Sequence, residues 1–294
     1  MSKHQIESFS NGSFSVRNLE LNECMHSSIG PWSEAQQIYL AQSHLVDRIL
    51  STDARSDSRP FVIYDIGLGI AANALATLEL LRATTAQTSP GRRVILMSFE
   101  TDLEGIKDAL VRHDLFPFLD RNTAIIQKLI ESGPVSEKLG NGVEFDWELK
   151  VGDFRDHLAD CPLADIIFFD LYSPKSCPAL WGLRTFQALF QKAHALPKKT
   201  TRETLLITYS ASTAARTALM LAGFYVGKGT STAGKKETTL ATTQFSSLES
   251  PLGRDWIEHW RRSSRPVPAD YPDLQEKQNQ SEILAKLLLS IQGN

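Results

Sequence analysis

Cysteine is scarce and unpatterned in this chain: Cys24, Cys161 and Cys177 are the only three. No Cys-x-x-Cys spacing links them, which argues against a disulfide framework and against a structural zinc site, so no metal is expected. Net charge is small, -3 over 294 residues, so no global basic excess announces a nucleic acid, although local basic clusters remain. No apolar run reaches the roughly 20 residues of a membrane-spanning helix. The start, Met1-Ser2-Lys3-His4-Gln5, lacks the apolar centre of a secretion signal, so a cytoplasmic location is expected. No internal repeat is apparent. What the chain does have is 42% hydrophobic residues, enough for one substantial core with appendages.

The organising stretch is Phe61-Val62-Ile63-Tyr64-Asp65-Ile66-Gly67-Leu68-Gly69-Ile70-Ala71-Ala72-Asn73. Its first half reads as a buried strand after Pro60, and good helix formers follow Ala71. Strand, glycine turn and helix start in this order make a nucleotide-binding turn, in which Gly67 and Gly69 let a ligand approach the backbone. The third glycine of the dinucleotide fingerprint is replaced by Ala72. A Gly-x-Gly alone is also what many tight turns contain. Further weight comes from acids at successive strand ends. Glu100 ends the strand Arg93–Phe99, Asp153 follows the strand ending at Val151, and Asp170 ends Ala164–Phe169. Such acids line the crevice at the carboxyl edge of an open parallel sheet, where Glu100 can hold ribose hydroxyls and Asp153 an adenine amine. Together they favour an adenosyl ligand.

Strands are expected at 61–66, 93–99, 144–151, 164–170, 204–209, 223–228 and 236–242. Helices are expected near 71–82, 103–112, 122–139, 181–195 and 212–221. This alternation implies an α/β, Rossmann-like, mostly parallel seven-stranded sheet covered on both faces. The last two strands are joined only by Gly229 to Lys235 and must be antiparallel. A parallel sheet with an antiparallel edge hairpin is the plan of class I methyltransferases rather than of nicotinamide dehydrogenases. Residues 1–50 read as a small β extension, turned at Asn11-Gly12, and a helix capped by Ser33 with Gln36 as box partner. Residues 60–242 form the main domain. Residues 243–294 form a tail with helices, in which Trp256 and Trp260 share one helical face and Ser281–Ile291 is apolar at helical spacing.

These residues resemble the methyltransferase domain of the bacterial tRNA-modifying enzyme MnmC. The resemblance begins at Asn11-Gly12-Ser13 and passes through Glu34-Ala35 and Tyr39-Leu40. It is clearest at Gly67–Asn73, where that family has Gly-Phe-Gly-Thr-Gly-Leu-Asn. It resumes at Asp170-Leu171-Tyr172-Ser173-Pro174-Lys175 with Trp181 after it, where the family has Asp-Gly-Phe-Ala-Pro-x-Lys and a later Trp. It ends at Thr208–Ala211, Ala222-Gly223-Phe224 and Gly234–Glu237, and so covers about residues 11–242. Two departures stand out. The family's middle turn glycine is Ala71 here, and its Gly-Phe pair after the aspartate is Leu171-Tyr172.

The resemblance implies S-adenosylmethionine as cofactor and methyl transfer to the aminomethyl nitrogen of the tRNA wobble uridine. Asp170 and Tyr172 are the expected catalytic pair, the first orienting the amine and the second walling the acceptor. Glu34, Asp65, Gly67, Gly69, Asn73, Glu100, Asp153 and Asp170 are the expected cofactor-binding set, although Glu34 reads equally as a solvated helix residue. The FAD-dependent oxidase half of the family is expected to be missing, so an oxidase would act in trans. Expected tRNA contacts are Lys198, Lys199, Arg254, Arg261 and Arg262, with Lys175, Arg202, Lys235, Lys236 and Arg265 as further candidates. Trp256 and Trp260 could stack on bases or anchor the tail. Two alternatives stand beside this reading: methylation of a small-molecule amine, and a catalytically inactive protein that binds S-adenosylmethionine.

Overall fold

The computed structural model describes residues 2–50, 59–85, 92–140, 142–193, 203–231, 237–271 and 277–291. Lys198, Lys199, Arg202, Lys235 and Lys236 lie outside the described residues.

The chain opens with a three-stranded antiparallel sheet of β1 (His4–Ser8), β2 (Phe14–Asn18) and β3 (Glu23–Cys24). Pairing runs from His4↔Asn18 to Ser8↔Phe14, so the Asn11-Gly12 turn closes the first hairpin as expected. The following helix, α1 (Pro31–Glu34), has Gly30 rather than Ser33 as its cap. Proline at the first helical position explains the earlier start, because its fixed φ is already helical and its missing N–H has no partner to lose there. The helix continues through a π-helical segment, Ala35–Leu40, into Ala41–Ser43.

The main domain then runs β4 (Phe61–Ile66), α2 (Ala72–Thr85), β5 (Val94–Glu100), α3 (Glu104–Val111), α4 (Thr123–Ser132), β6 (Val135–Lys138), β7 (Glu144–Val151), β8 (Ile166–Phe169), α5 (Leu183–Ala193), β9 (Leu205–Thr208), α6 (Thr213–Ala222), β10 (Tyr225–Lys228) and β11 (Thr239–Thr242). The strands lie in the order β10-β11-β9-β8-β4-β5-β7-β6. The central pairs are parallel, and β11 is antiparallel to both β9 and β10, which is the expected edge hairpin. All six residues of β4 are buried. Phe61 and Ile63 face one half of the core, with α2, while Val62, Tyr64 and Ile66 face the other. Burial on both faces is why this strand is a continuous apolar run instead of an alternation.

A second expectation is corrected. The segment 122–139 is not a single helix: α4 ends at Ser132, and β6 pairs antiparallel with β7 as an eighth strand. Gly133, at φ +95°, and Pro134 break the helix there.

In the tail, α7 (Arg254–Arg262) and α8 (Lys277–Ser290) pack on the second half of the core. Trp256 and Trp260 are 4% and 6% exposed, and the Trp260 indole N–H donates to the Pro266 carbonyl at 2.8 Å. The two rings are therefore anchors of the tail and not base-stacking platforms. Among the described residues no helix is long and apolar enough to cross a membrane.

Candidate active site

β4 delivers the chain to the carboxyl edge of the sheet, and Gly67 turns it at φ +95°. A Cβ on Gly67 would sit 2.4 Å from the Asp170 carbonyl oxygen, closer than real Cβ atoms come. The neighbouring strands β4 and β8 can end this close together only because residue 67 has no side chain. The Gly67 and Leu68 N–H groups donate to the Phe99 carbonyl at 3.0 and 3.1 Å, which fastens the turn to the end of β5.

The turn, the strand ends and the N-terminal sheet enclose a cleft of about 320 Å³. Gly67, Gly69, Glu100, Asp153, Asp170 and Tyr172 all line it. Six of the residues expected at the site are thus brought together by four different strand ends and loops.

Glu100 does more than face the cleft. Its carboxylate accepts the Gly69 N–H at 3.0 Å on one oxygen, and the Thr101 and Asp102 N–H groups at 2.8 and 3.2 Å on the other. Burial raises its pKa, and these backbone donors pull the other way. Asp153 also has a local duty. It caps the short helix Phe154–His157 through the Arg155 N–H at 3.0 Å and pairs with the Arg155 guanidinium, which holds its carboxyl below the usual value. Asp170 receives the Asn73 amide N–H at 2.8 Å, and Asn73 is itself 5% exposed at the start of α2. That bond fixes the carboxylate of Asp170 beside the glycine turn.

Three expected residues do not line the cleft: Asn73, which reaches it only through its bond to Asp170, and Asp65 and Glu34. Asp65 is 0% exposed, beneath the turn. The Trp147 indole N–H donates to Ser98 Oγ at 2.9 Å, and the Ser98 hydroxyl donates to Asp65 Oδ2 at 2.7 Å. Asp65 Oδ1 has no hydrogen-bond partner among the described residues. Burial pushes its pKa up to about 8, the Ser98 hydroxyl works against that shift, and the nearby charges of Asp170 and Glu100 add to it. Glu34 accepts the Ser27 N–H at 3.2 Å and so ties α1 to the loop after β3. Behind Asp170, the hydroxyl of the buried Tyr39 is raised well above its ordinary value by burial first and by the Asp170 charge second.

The residues that pattern reading missed come from the N-terminal sheet. His4, Asn18, Glu20, Leu21, Met25 and His26 also line the cleft. A Cβ on Gly105 of α3 would come within 2.6 Å of Met25 Cε, so the sheet lies hard against that helix. At the other end, Glu23 accepts the Ser173 N–H and hydroxyl, each at 2.9 Å, and the Ser176 hydroxyl as well. Trp181 Nε1 donates to the Tyr172 carbonyl at 2.7 Å, which fixes the segment after Asp170 from its other side. The extension is therefore a roof over the cleft. Nothing in its local alternation says which surface it will cover.

The comparisons with known proteins agree with this geometry. A family profile described as "S-adenosyl-L-methionine-dependent methyltransferase" matches residues 123–244. The chain is 28% identical over 231 residues to the "tRNA 5-methylaminomethyl-2-thiouridine biosynthesis bifunctional protein MnmC" of Aeromonas hydrophila subsp. hydrophila, covering 74% of this chain and 32% of that protein. It is 26% identical over 245 residues to the protein so described from Methylibium petroleiphilum, covering 82% and 35%. The chain spans about a third of the length of these curated relatives. Among solved structures, MNMC2 from Aquifex aeolicus superposes with a TM-score of 0.66 at 22% identity, covering 99% of this chain and 86% of that one. Over residues 123–244 the chain is thus similar to S-adenosyl-L-methionine-dependent methyltransferases. Over most of its length it is similar, at 28% identity or less, to part of the MnmC proteins.

The cleft fits that cofactor on its own terms. Gly67 and Gly69 line it at the turn, and the carboxylate of Glu100 stands at the end of β5, where a ribose would lie.

Proposed function

We propose that this chain methylates the exocyclic amine of 5-aminomethyl-2-thiouridine in tRNA. The observation that carries this reading is the carboxylate of Asp170, held by Asn73 beside the Gly67 turn in a cleft walled by Tyr172. The names of the curated relatives give biosynthesis of 5-methylaminomethyl-2-thiouridine in tRNA, and the acceptor proposed is that nucleoside one methyl short.

When bound, the cofactor supplies a methyl group already activated on a sulfonium. The protein's own task is to place an unprotonated nitrogen in line and to exclude water. Gly67 and Gly69 let the ligand approach the backbone, and Glu100 and Asp153 hold its nucleoside. Asp170 accepts a hydrogen bond from the acceptor amine and orients its lone pair. Tyr172 walls the acceptor, with its backbone fixed by Trp181.

Cations on the acceptor side support a nucleic-acid substrate. A second groove on the far side of the Ser173–Lys175 segment is lined by Lys175, Arg265, Ser212 and Tyr271. Arg254 is exposed on α7, whereas Arg261 pairs with Glu258 at 2.8 Å and the Arg262 Nε–H donates to the Glu258 carbonyl. Lys175, Arg265 and Arg254 are accordingly the first residues assigned to the phosphate backbone.

The test is transfer of labelled methyl to tRNA bearing 5-aminomethyl-2-thiouridine. Wild type should methylate it, with a steep loss of RNA binding as salt rises. Asp170→Asn should lower the rate by at least about a hundredfold with cofactor affinity little changed. Methylation of small amines but not of this RNA would overturn the assignment.

A further inference from the structure

We propose that His4 is a direct contact for the adenosine end of the cofactor, its Nδ1 accepting a hydrogen bond from an N–H or O–H donor of the nucleoside. This inference rests on the cofactor and is independent of the tRNA reading.

His4 opens β1, lines the cleft and is 7% exposed. Its Nδ1 is buried and has no hydrogen-bond partner among the described residues. A buried polar atom left over in the wall of a cleft points to a group that the cleft receives. The other edge of the ring faces α3, where a Cβ on Gly105 would lie 3.6 Å from both Cδ2 and Nε2. The helix start there carries Asp102 and Glu104, and one nitrogen of the His4 ring comes within 4.8 Å of an oxygen of each. In an imidazole with one ring proton, one nitrogen donates and the other accepts, and the assignment here puts the proton on Nε2, the nitrogen against α3. That leaves Nδ1 as a lone-pair acceptor, the complement of an amine or hydroxyl donor.

The ring's position is set before any ligand arrives. His4 pairs with Asn18 across the hairpin, its N–H donates to Ser2 Oγ at 3.1 Å, and the Ser2 hydroxyl donates to Asp108 of α3. Its place along the cleft identifies which part of the ligand it meets. His4 lies by Asp102, just past the ribose-side carboxylate Glu100, while Gly67 and Asp170 stand at the methyl-transfer end. Asp102, Glu104 and His4 are also a candidate for a cation. Asp102 Oδ1 already accepts the Glu104 N–H at 2.8 Å, which speaks for a helix-start role instead.

The experiment is calorimetric titration of the full chain with S-adenosylhomocysteine and with analogues lacking the 6-amino, 2′-hydroxyl or 3′-hydroxyl group. His4→Ala should bind the parent ligand about tenfold more weakly, and His4→Asn, whose amide reaches the Nδ1 position, should recover most of the loss. One analogue should bind wild type about tenfold more weakly and lose nothing further in His4→Ala, which identifies the donor. Unchanged affinity in a cooperatively melting His4→Ala overturns the proposal. So does an equal loss for all four ligands in both variants, the mark of a purely structural role. Affinity gained on adding manganese(II) and abolished by His4→Ala would overturn it in favour of a cation site. If His4→Ala does not fold, His4→Asn and the analogue series on wild type decide alone. No binding to the wild-type chain would strike the cofactor assignment itself and His4 with it.

Discussion

Ser173 donates twice to Glu23, its backbone N–H to Oε1 and its hydroxyl to Oε2, both at 2.9 Å. A strand of the N-terminal sheet thereby holds the segment that follows Asp170. Glu23→Ala should lower kcat/KM for the acceptor by about ten- to a hundredfold, since misplacement by about an ångström is enough for such a loss. Cofactor affinity should change by less than about threefold, because the lost bonds lie on the acceptor side. Steady-state kinetics beside calorimetry checks this, and a cofactor affinity that falls as far as kcat/KM would contradict it.

Ala71 stands in a left-handed backbone conformation, φ +64°, at 0% exposure. Its single methyl is the largest side chain that such a site accepts at modest cost. Ala71→Gly should alter stability by no more than about 1 kcal/mol, since relief of strain offsets the glycine's freedom when unfolded. Ala71→Val should cost at least about 2 kcal/mol more, from its branched carbon and from overpacking. Equal urea midpoints for the two variants would show that residue 71 is not held in this conformation.

Asp65 stays neutral in the folded chain up to about pH 8. An unfolded carboxyl ionises near pH 4. The stability this group contributes is therefore complete below about pH 4 and is lost as pH rises toward 8, because the unfolded chain releases the proton first. Asp65→Asn removes that slope. Between about pH 5 and pH 8, its urea midpoint should fall less than that of wild type, and parallel profiles would refute the shift.

Trp260 belongs to the core. Trp260→Ala should destabilise the chain by roughly 3–5 kcal/mol, whereas Trp260→Phe should cost less, losing mainly the bond to Pro266. Neither should change the salt slope of tRNA binding. A variant that melts like wild type yet binds RNA more weakly would reinstate the stacking role.

The central strands were legible because burial on two faces writes itself as an uninterrupted apolar run, and Phe61–Ile66 begins and ends where the pattern does. The π-helical turn was not, since it carries no sequence signal of its own, whereas the earlier start of α1 was readable in principle from Pro31. β6 was hidden because Val135–Lys138 is four residues long, three of them polar or charged, and it is defined by its partner β7. At the site, the carboxylates at strand ends announced themselves by position. Their second duties, such as Asp153 with Arg155, follow from a neighbour two residues on and were readable in principle. Glu23 and His4 were not readable, because their meaning depends on surfaces made much later in the chain.

That separation has a consequence for biosynthesis. Ser173 emerges from the ribosome 150 residues after Glu23. At about 5–20 residues per second the delay is roughly 8–30 s. Once α3 has been made the hairpin has that helix to lie on, but the segment that Glu23 fastens is still missing. The N-terminal sheet is made well before the segment it fastens, and the cleft beneath it matures only when the chain after β8 has been made.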